Sequence, residues 1–400
     1  MDALAVDRAG RSYDATTATA TPAVARITSI DIVRGVVMVL MAIDHVRVYS
    51  GVPAGGPTYG VFFTRWITHF CAPAFVFLAG TGAFFQGRKL GDPRALARFL
   101  VTRGLILVAL ELTVIRFFWT FNPSYADGAL AGVIWMLGWC MVLLAPFVRF
   151  SPWTVGWSGV VLIFVQQLFA FPPRLVPEPA RHVVGALWEF LYPAGMERWP
   201  AISILYVIVP WVGVMAAGYG FGTIMQRDAA ERRRLCLAIG LGLTAAFLVV
   251  GSLQITFGPE QGEPMPPLMR LLNQQKYPPS QFYLAMTLGP TLILIALAEQ
   301  ARGVLATIMA TFGRVPLFYY LLHIPLIHLT ALLVNSIRAG APHQEWYTRA
   351  PFVSIEHPAD RWSLALLYLA FAIDVAILYP LCRWYMHRKS TNPAPWMRYV

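Results

Sequence analysis

The chain carries little charge for its size. Of its 400 residues only 13% are Asp, Glu, Lys or Arg, whereas 57% are hydrophobic and 14% are aromatic. Soluble proteins carry about 25% charged residues. This shortage excludes a disordered chain, and it argues against the two or three soluble domains that the length alone would suggest.

Cysteines and the common catalytic motifs are also scarce. The four cysteines form no C-x-x-C pair, which excludes a disulfide scaffold. The histidines show no H-E-x-x-H spacing, so we expect no metal. A P-loop, a G-x-S-x-G elbow and a Gly-rich dinucleotide motif are all missing, so nothing indicates a soluble catalytic domain.

What the sequence does contain is long apolar runs. Crossing a bilayer takes about 20 helical residues, and about ten runs have that length. They lie near 30–50, 66–86, 99–119, 130–149, 153–171, 202–225, 235–257, 281–299, 304–336 and 362–386. We therefore predict an all-α, polytopic transmembrane helical bundle of about ten spans. It occupies residues 27–390, between a disordered cytoplasmic tail (1–26) and a second cytoplasmic tail (391–400).

The basic residues predict the orientation. If the first span runs outward, one side of the membrane receives 17 Lys and Arg residues and the other side receives 10. Cytoplasmic loops are the basic ones, so both termini should be cytoplasmic. Almost all of the net charge of +11 then lies on the cytoplasmic side. The net positive charge is therefore explained by the orientation in the membrane and by contacts with lipids, and we expect no nucleic-acid partner.

Ionisable side chains inside the apolar runs indicate pairing or function, because each costs about 2.5–3.5 kcal/mol at a helix centre. Two interpretations stay open: the acids and arginines neutralise one another, or the histidines handle protons in a site. The residues that fall in the outer half or near mid-membrane are Asp44, His45, Arg47, Arg65, His69, Glu111, Arg116, His323 and Asp374.

A second basic group lies toward the cytoplasm and consists of Arg34, Arg88, Lys89, Arg103 and Arg314. These residues either set the orientation and contact lipid phosphates, or line a cavity for a phosphorylated cytosolic ligand. On the first span Arg34, Met38, Met41 and His45 follow one another at intervals of four, three and four. That spacing places them on one helix face, which connects the cytoplasmic end to the outer half.

Several segments resemble a known membrane family. They are Arg26-Ile-Thr-Ser-Ile-Asp31-Ile-Val-Arg34-Gly35 with Met38 to Arg47, Phe63 to Gly80 around Arg65, His69 and Pro73, Phe312 to Pro325 around Arg314 and His323, and Tyr379 to Tyr385. The chain resembles the bacterial branch of the heparan-alpha-glucosaminide N-acetyltransferase catalytic-domain-like family. The resemblance implies a transmembrane acyltransferase that takes acetyl-CoA or another acyl-CoA from the cytosol. It also implies a sugar or glycan acceptor on the outer side and a location in the bacterial cytoplasmic membrane.

The resemblance also suggests roles for these residues. Arg34, Arg103 and Arg314, helped by Arg88 and Lys89, would hold the phosphates of the donor. His45, oriented by Asp44, would be the general base or a transient acyl carrier. The remaining site residues would bind the acceptor or stabilise the oxyanion: His69, His323, Arg47, Arg65, Glu111, Arg116 and Asp374.

One departure from the family pattern concerns the catalytic histidine. The lysosomal relatives place it in the first outer loop, and they have Asn where this chain has Asp44. Residues 51–64 contain no histidine, so His45 or His69 must take the role if the chemistry is kept. A proton-coupled small-molecule transporter and a non-catalytic protein of the same fold are the alternatives. The sequence leaves a homodimer open.

Overall fold

The computed structural model describes residues 5–6, 12–13, 26–56, 58–196, 201–258, 265–353, 355 and 357–398. Most of the predicted N-terminal tail, and the end of the C-terminal one, lie outside these residues. The division into two tails and one domain therefore stays a prediction. The chain is mostly helical, at 76%.

The described residues form fifteen α-helices and four short strands. The helices are α1 (Thr28–Ser50), α2 (Tyr59–Trp66), α3 (Cys71–Leu90), α4 (Pro93–Leu110), α5 (Arg116–Thr120), α6 (Val133–Leu144), α7 (Pro152–Val165), α8 (Glu178–Trp188), α9 (Val209–Met225), α10 (Ala229–Phe257), α11 (Pro267–Leu272), α12 (Gln281–Ala298), α13 (Val304–Arg314), α14 (Pro316–Ala339) and α15 (Leu364–Thr391). Strand β1 (Ala5–Val6) pairs antiparallel with β2 (Ser12–Tyr13), and β3 (Ala129–Ala131) pairs parallel with β4 (Ile202–Ile204).

Among the described residues, six helical segments are long and apolar enough to cross a membrane. They are Tyr59–Leu90, Pro152–Ala170, Ala229–Phe257, Gln281–Ala298, Pro316–Ala339 and Leu364–Thr391. In the segments built on α7, α10 and α15 only 22% of the most apolar stretch is buried, as expected for helices that face lipid. The count of about ten spans and the cytoplasmic termini stay predictions.

Three of the predicted spans are interrupted helices. The second span begins earlier than predicted and consists of α2, a tight turn at Ile67–Phe70, and α3. In the third span one π-helical turn (Glu111–Ile115) separates α4 from α5. The ninth divides into α13 and α14 at Pro316, where the missing N–H suits the first turn of a new helix.

The break in the second span has a local cause. A proline ring collides with the carbonyl four residues earlier and cannot donate a hydrogen bond to it. For Pro73 that carbonyl belongs to His69. The freed carbonyl oxygen accepts a hydrogen bond of 2.8 Å from the hydroxyl of Tyr283 on α12. The break thus joins α12 to the helix pair that carries Arg65 and His69.

Helix α1 lies against α13 in very close contact. A Cβ atom on Gly35 would lie 1.8 Å from the carbonyl oxygen of Met309, and one on Gly313 would lie 1.7 Å from that of Asp31. Small residues permit this approach of two backbones in a membrane protein. Arg34 and Arg314 adjoin these glycines, so the two arginines lie on neighbouring helices where the backbones approach most closely.

Candidate active site

A cavity of about 270 Å³ opens among α1, α3, α4, α6 and α14. Arg34, Arg103 and Arg314 all line it, so the structure gathers three residues that the sequence assigned to one ligand. Arg26 and Lys389 also line it and were not predicted to do so. Arg88 and Lys89 do not line it; they lie exposed at the end of α3.

The cavity has an excess of positive charge. Its five basic residues are accompanied by Asp31, which accepts a hydrogen bond of 2.5 Å from Arg26 Nε and lies 3.6 Å from Arg314 Nε. Arg34 donates to the carbonyl of Leu78 at 2.7 Å, which fixes its direction. A pocket lined by four arginines and a lysine, with one carboxylate behind them, favours an anionic ligand, and guanidinium groups match phosphate oxygens in geometry.

The cavity extends along the helices away from its basic end. From the arginines, its walls continue through Met38 and Met41 on α1, Leu107 on α4 and Tyr320 on α14. The predicted face of α1 is therefore the cavity wall as far as Met41. His45, one turn further, does not line the cavity. Its ring is 6.3 Å from the ring of Tyr320, which does.

His45 and His323 form a hydrogen-bonded pair. His45 Nδ1 lies 2.7 Å from His323 Nε2, and the rings stack with centroids 4.8 Å apart. His323 Nδ1 faces the carbonyl oxygens of Tyr320 at 2.7 Å and Tyr319 at 3.1 Å. Carbonyl oxygens only accept hydrogen bonds, so His323 Nδ1 must carry a proton.

The proton on His323 Nδ1 determines which nitrogen atoms carry protons in the neutral form of the pair. With a proton on Nδ1, the Nε2 atom of His323 is an acceptor, so His45 must donate to it from Nδ1. The Nε2 atom of His45 then bears a lone pair, and it has no hydrogen-bond partner among the described residues. The geometry therefore presents one unprotonated imidazole nitrogen, as a general base or nucleophile requires.

A second cavity lies beside Trp119, the other aromatic neighbour of His45. Trp119 packs edge-on against His45, with ring centroids 4.7 Å apart, and it also lines a cavity of about 40 Å³. Thr348, Arg349 and Phe352 line that cavity as well as a surface groove of about 550 Å³. His45 thus contacts one aromatic wall of the basic cavity and one aromatic wall of the small cavity.

Asp44 makes no hydrogen bond with His45 among the described residues, so its predicted orienting role stays a prediction. It pairs instead with Arg47 at 2.9 Å and with Arg65 at 3.5 Å. Adjacent helical residues point about 100° apart, so the two side chains of this Asp-His dipeptide meet different neighbours. His323 holds the ring of His45, and Asp44 organises a separate cluster of cations.

The family model for "Heparan-alpha-glucosaminide N-acetyltransferase, catalytic" matches residues 26–257, which is more than half of the chain. The chain belongs to this family. The resemblance seen in the sequence is thereby confirmed, and the chain is a helical protein of a membrane acetyltransferase family. No curated protein matches it. The matched region contains Arg34, His45 and Arg103, whereas Arg314 and His323 join the site from beyond it.

The other two acids of the predicted site in this acetyltransferase-family chain, Glu111 and Asp374, do not pair with arginines among the described residues. Glu111 Oε2 accepts hydrogen bonds from the backbone N–H groups of Ile134 at 2.9 Å and Trp135 at 3.2 Å, so it caps α6. Asp374 accepts a hydrogen bond of 2.7 Å from Thr330, which connects α15 to α14. The outer group of predicted site residues contains as many acids as arginines, but these side chains do not pair one to one.

Arg116 and His69 also lie apart from the histidine pair. Arg116 donates to the carbonyls of Gly128 at 3.1 Å, Asn122 at 2.6 Å and Ser124, so it holds the 121–128 loop. The buried ring of His69 packs edge-on against Tyr283, and its Nδ1 has no partner among the described residues. Among the residues that the structure describes, no group of three or more His, Cys, Asp or Glu side chains could hold a metal ion.

Sequence reasoning missed Tyr320, Trp119 and Lys276. Tyr320 and Trp119 flank His45, but aromatic residues are so frequent in this chain that nothing in the pattern singles them out. Lys276 interacts electrostatically with Asp44 and His45. It lies between α11 and α12, in a segment that nothing in the sequence places beside Asp44.

Proposed function

We propose that the protein transfers an acyl group, most simply acetyl, from cytosolic acyl-CoA to an amino or hydroxyl group of a glycan on the outer side of the bacterial cytoplasmic membrane. One observation carries the proposal: a basic cavity ends at Tyr320, beside a histidine pair that leaves the Nε2 atom of His45 unprotonated. In this interpretation the basic end of the cavity faces the cytosol, in agreement with the predicted topology.

The residues of the cavity fit the proposed donor. Arg34, Arg103 and Arg314, with Arg26 and Lys389, would hold the phosphate groups of CoA. The apolar wall from Met38 to Leu107 would surround the thin pantetheine arm. A volume of about 270 Å³ is small for a whole ligand, because small-molecule sites usually enclose about 300–1,000 Å³. It suits the arm and the acyl group, with the nucleotide part at the basic end.

The acceptor would approach from the opposite direction. The groove around Trp346, Arg349 and Phe352 combines aromatic and charged side chains, and three of its residues also line the small cavity at Trp119. This continuity supports a route from the outer surface to His45. Tyr320 and Trp119 would then separate the donor and acceptor routes, with the reacting nitrogen between them.

The proposed chemistry is a general-base acyl transfer. His45 Nε2 removes the proton from the acceptor amine or hydroxyl as that group forms a bond to the thioester carbonyl carbon. The C–S bond breaks, and the departing thiolate takes up the proton from His45. His323 keeps the ring of His45 in the required tautomer throughout, through its own hydrogen bonds to the carbonyls of Tyr319 and Tyr320.

The test uses the full chain in nanodiscs with radiolabelled acetyl-CoA, and it measures thioester cleavage and label transfer to amino sugars. His45→Ala should lower the rate by about 10²–10⁴-fold, the usual contribution of a general base. His387→Ala is the matched control, since His387 lies exposed on α15. Equal rates for the two variants would contradict the assignment. Solute flux into proteoliposomes without any acyl donor would favour the transporter alternative instead.

A further inference from the structure

The cluster around Asp44 contains more positive charge than its one acid can neutralise. Arg47 and Arg65 both pair with Asp44, and their side chains are only 11% and 13% exposed. Lys276 is 8% exposed and interacts electrostatically with the same carboxylate. Two nearly buried arginines therefore pair with one carboxylate, and a third nearly buried cation acts on it without touching it.

Lys276 is the residue whose charge is left without a counter-ion. Its Nζ atom lies 5.2 Å from the ring centroid of Tyr277 and 5.7 Å from that of Tyr206. Among the described residues this atom has no ion pair or hydrogen bond, and the side chain lines a cavity. A buried and unpaired ammonium group costs several kcal/mol, and two aromatic rings at these distances recover only a part of that cost.

The cavity beside Lys276 has room for a ligand. Its volume is about 130 Å³, and its walls include Lys276, Tyr277 and Trp211. One water molecule needs only about 10–15 Å³ of such volume, so a group of several atoms fits. Lys276 Nζ lies near the rings of Tyr277 and Tyr206, and Arg65 interacts electrostatically with the same two tyrosines.

We infer that Arg47, Arg65 and Lys276 form an anion site in the outer half of the protein, which takes the carboxylate or phosphate group of a ligand that enters through the cavity beside Lys276. The ligand supplies the negative charge that the described residues lack. A soluble sugar acid or phosphate ester and a lipid headgroup share this chemistry. In the proposed transferase the anion is an acidic group of the acceptor, since the cluster also acts electrostatically on His45. That last step rests on the proposed function, whereas the binding site does not.

The test measures thermal stability of the full chain in nanodiscs of pure phosphatidylcholine, without an acyl donor, and with inorganic phosphate or glucuronate as the probe. The probes should raise the Tm of the wild type and of Lys276→Arg. In Lys276→Met the affinity for the probe should fall at least about ten-fold, since a charge-assisted bond is lost. Without any probe Lys276→Met should melt at or above the wild-type temperature, because an uncompensated buried charge has been removed.

A second arm uses nanodiscs that contain phosphatidylglycerol and no soluble anion. A rise in Tm that depends on Lys276 in this arm identifies a lipid headgroup as the source, and a rise with soluble probes alone identifies a small molecule. Arg174→Gln is the control, because Arg174 is an exposed basic residue of another outer segment. No response of the wild type in either arm, or an equal response of Lys276→Met, overturns the inference. Neither result touches the acyl-transfer proposal, which the His45 variant tests separately.

Discussion

Replacing His323 with alanine tests the central argument about the site. His323 contacts neither the basic cavity nor the small cavity at Trp119. Its proposed task is to accept the Nδ1 proton of His45 and so to keep the Nε2 atom of His45 free. The variant should therefore lower kcat strongly while leaving the KM for acetyl-CoA within about two-fold, because the donor contacts stay intact.

The magnitude follows from the lost hydrogen bond and the lost orientation. A net hydrogen bond is worth about 1 kcal/mol, with an upper end near 1.5 kcal/mol, so its loss changes the ratio of tautomers by up to about ten-fold. Without this bond the ring of His45 can move by about an ångström from its reactive position, which lowers kcat by up to about 10²-fold more. Together they predict that kcat falls by up to about 10³-fold, within the range expected for loss of His45 itself.

The assay is single-turnover transfer from labelled acetyl-CoA in nanodiscs, with thermal melting of each variant alongside. His328→Ala is a matched control: His328 lies on α14 with His323, is equally buried, and bonds a backbone carbonyl and Gln344 instead of His45. Both variants should lose similar stability, yet only His323→Ala should lose the rate. His323→Gln should recover part of it, since its amide oxygen can accept the His45 proton. If His323→Ala and His328→Ala react at the same rate, the tautomer argument is wrong.

Three further predictions concern the donor cavity and the fold. Arg103→Gln should raise the KM for acetyl-CoA about ten-fold with little change in kcat, since it removes a charge that holds phosphate; Arg88→Gln, outside the cavity, should change neither. Glu111→Ala should lower the free energy of unfolding by about 1–2 kcal/mol, since α6 loses its cap, which melting would detect. Gly313→Ala should sharply reduce folded yield, because its Cβ would meet the carbonyl of Asp31, whereas Gly242→Ala, with open space around it, should be neutral or slightly stabilising.

Much of the site could be predicted because helical spacing and burial restrict where charge can lie. The interval pattern of α1 predicted that Arg34, Met38 and Met41 share a face, and all three line one cavity. The cost of placing charge in apolar helices singled out Arg103 and Arg314, which line it too. Arg88 does not line the cavity. Its position could not be predicted, because an arginine at a helix end that faces a loop has the same sequence signal as one that faces inward.

The sequence by itself determined that this is a helical membrane protein and which side chains deserved an explanation, because composition and periodicity act within single segments. Only the tertiary structure decided the partners. His45 hydrogen-bonds His323 across 278 positions, Glu111 caps α6, and Lys276 acts on Asp44 from the segment between α11 and α12. The physical reason is that periodicity fixes which residues share a helix face, whereas the packing of that helix against the others fixes what the face meets.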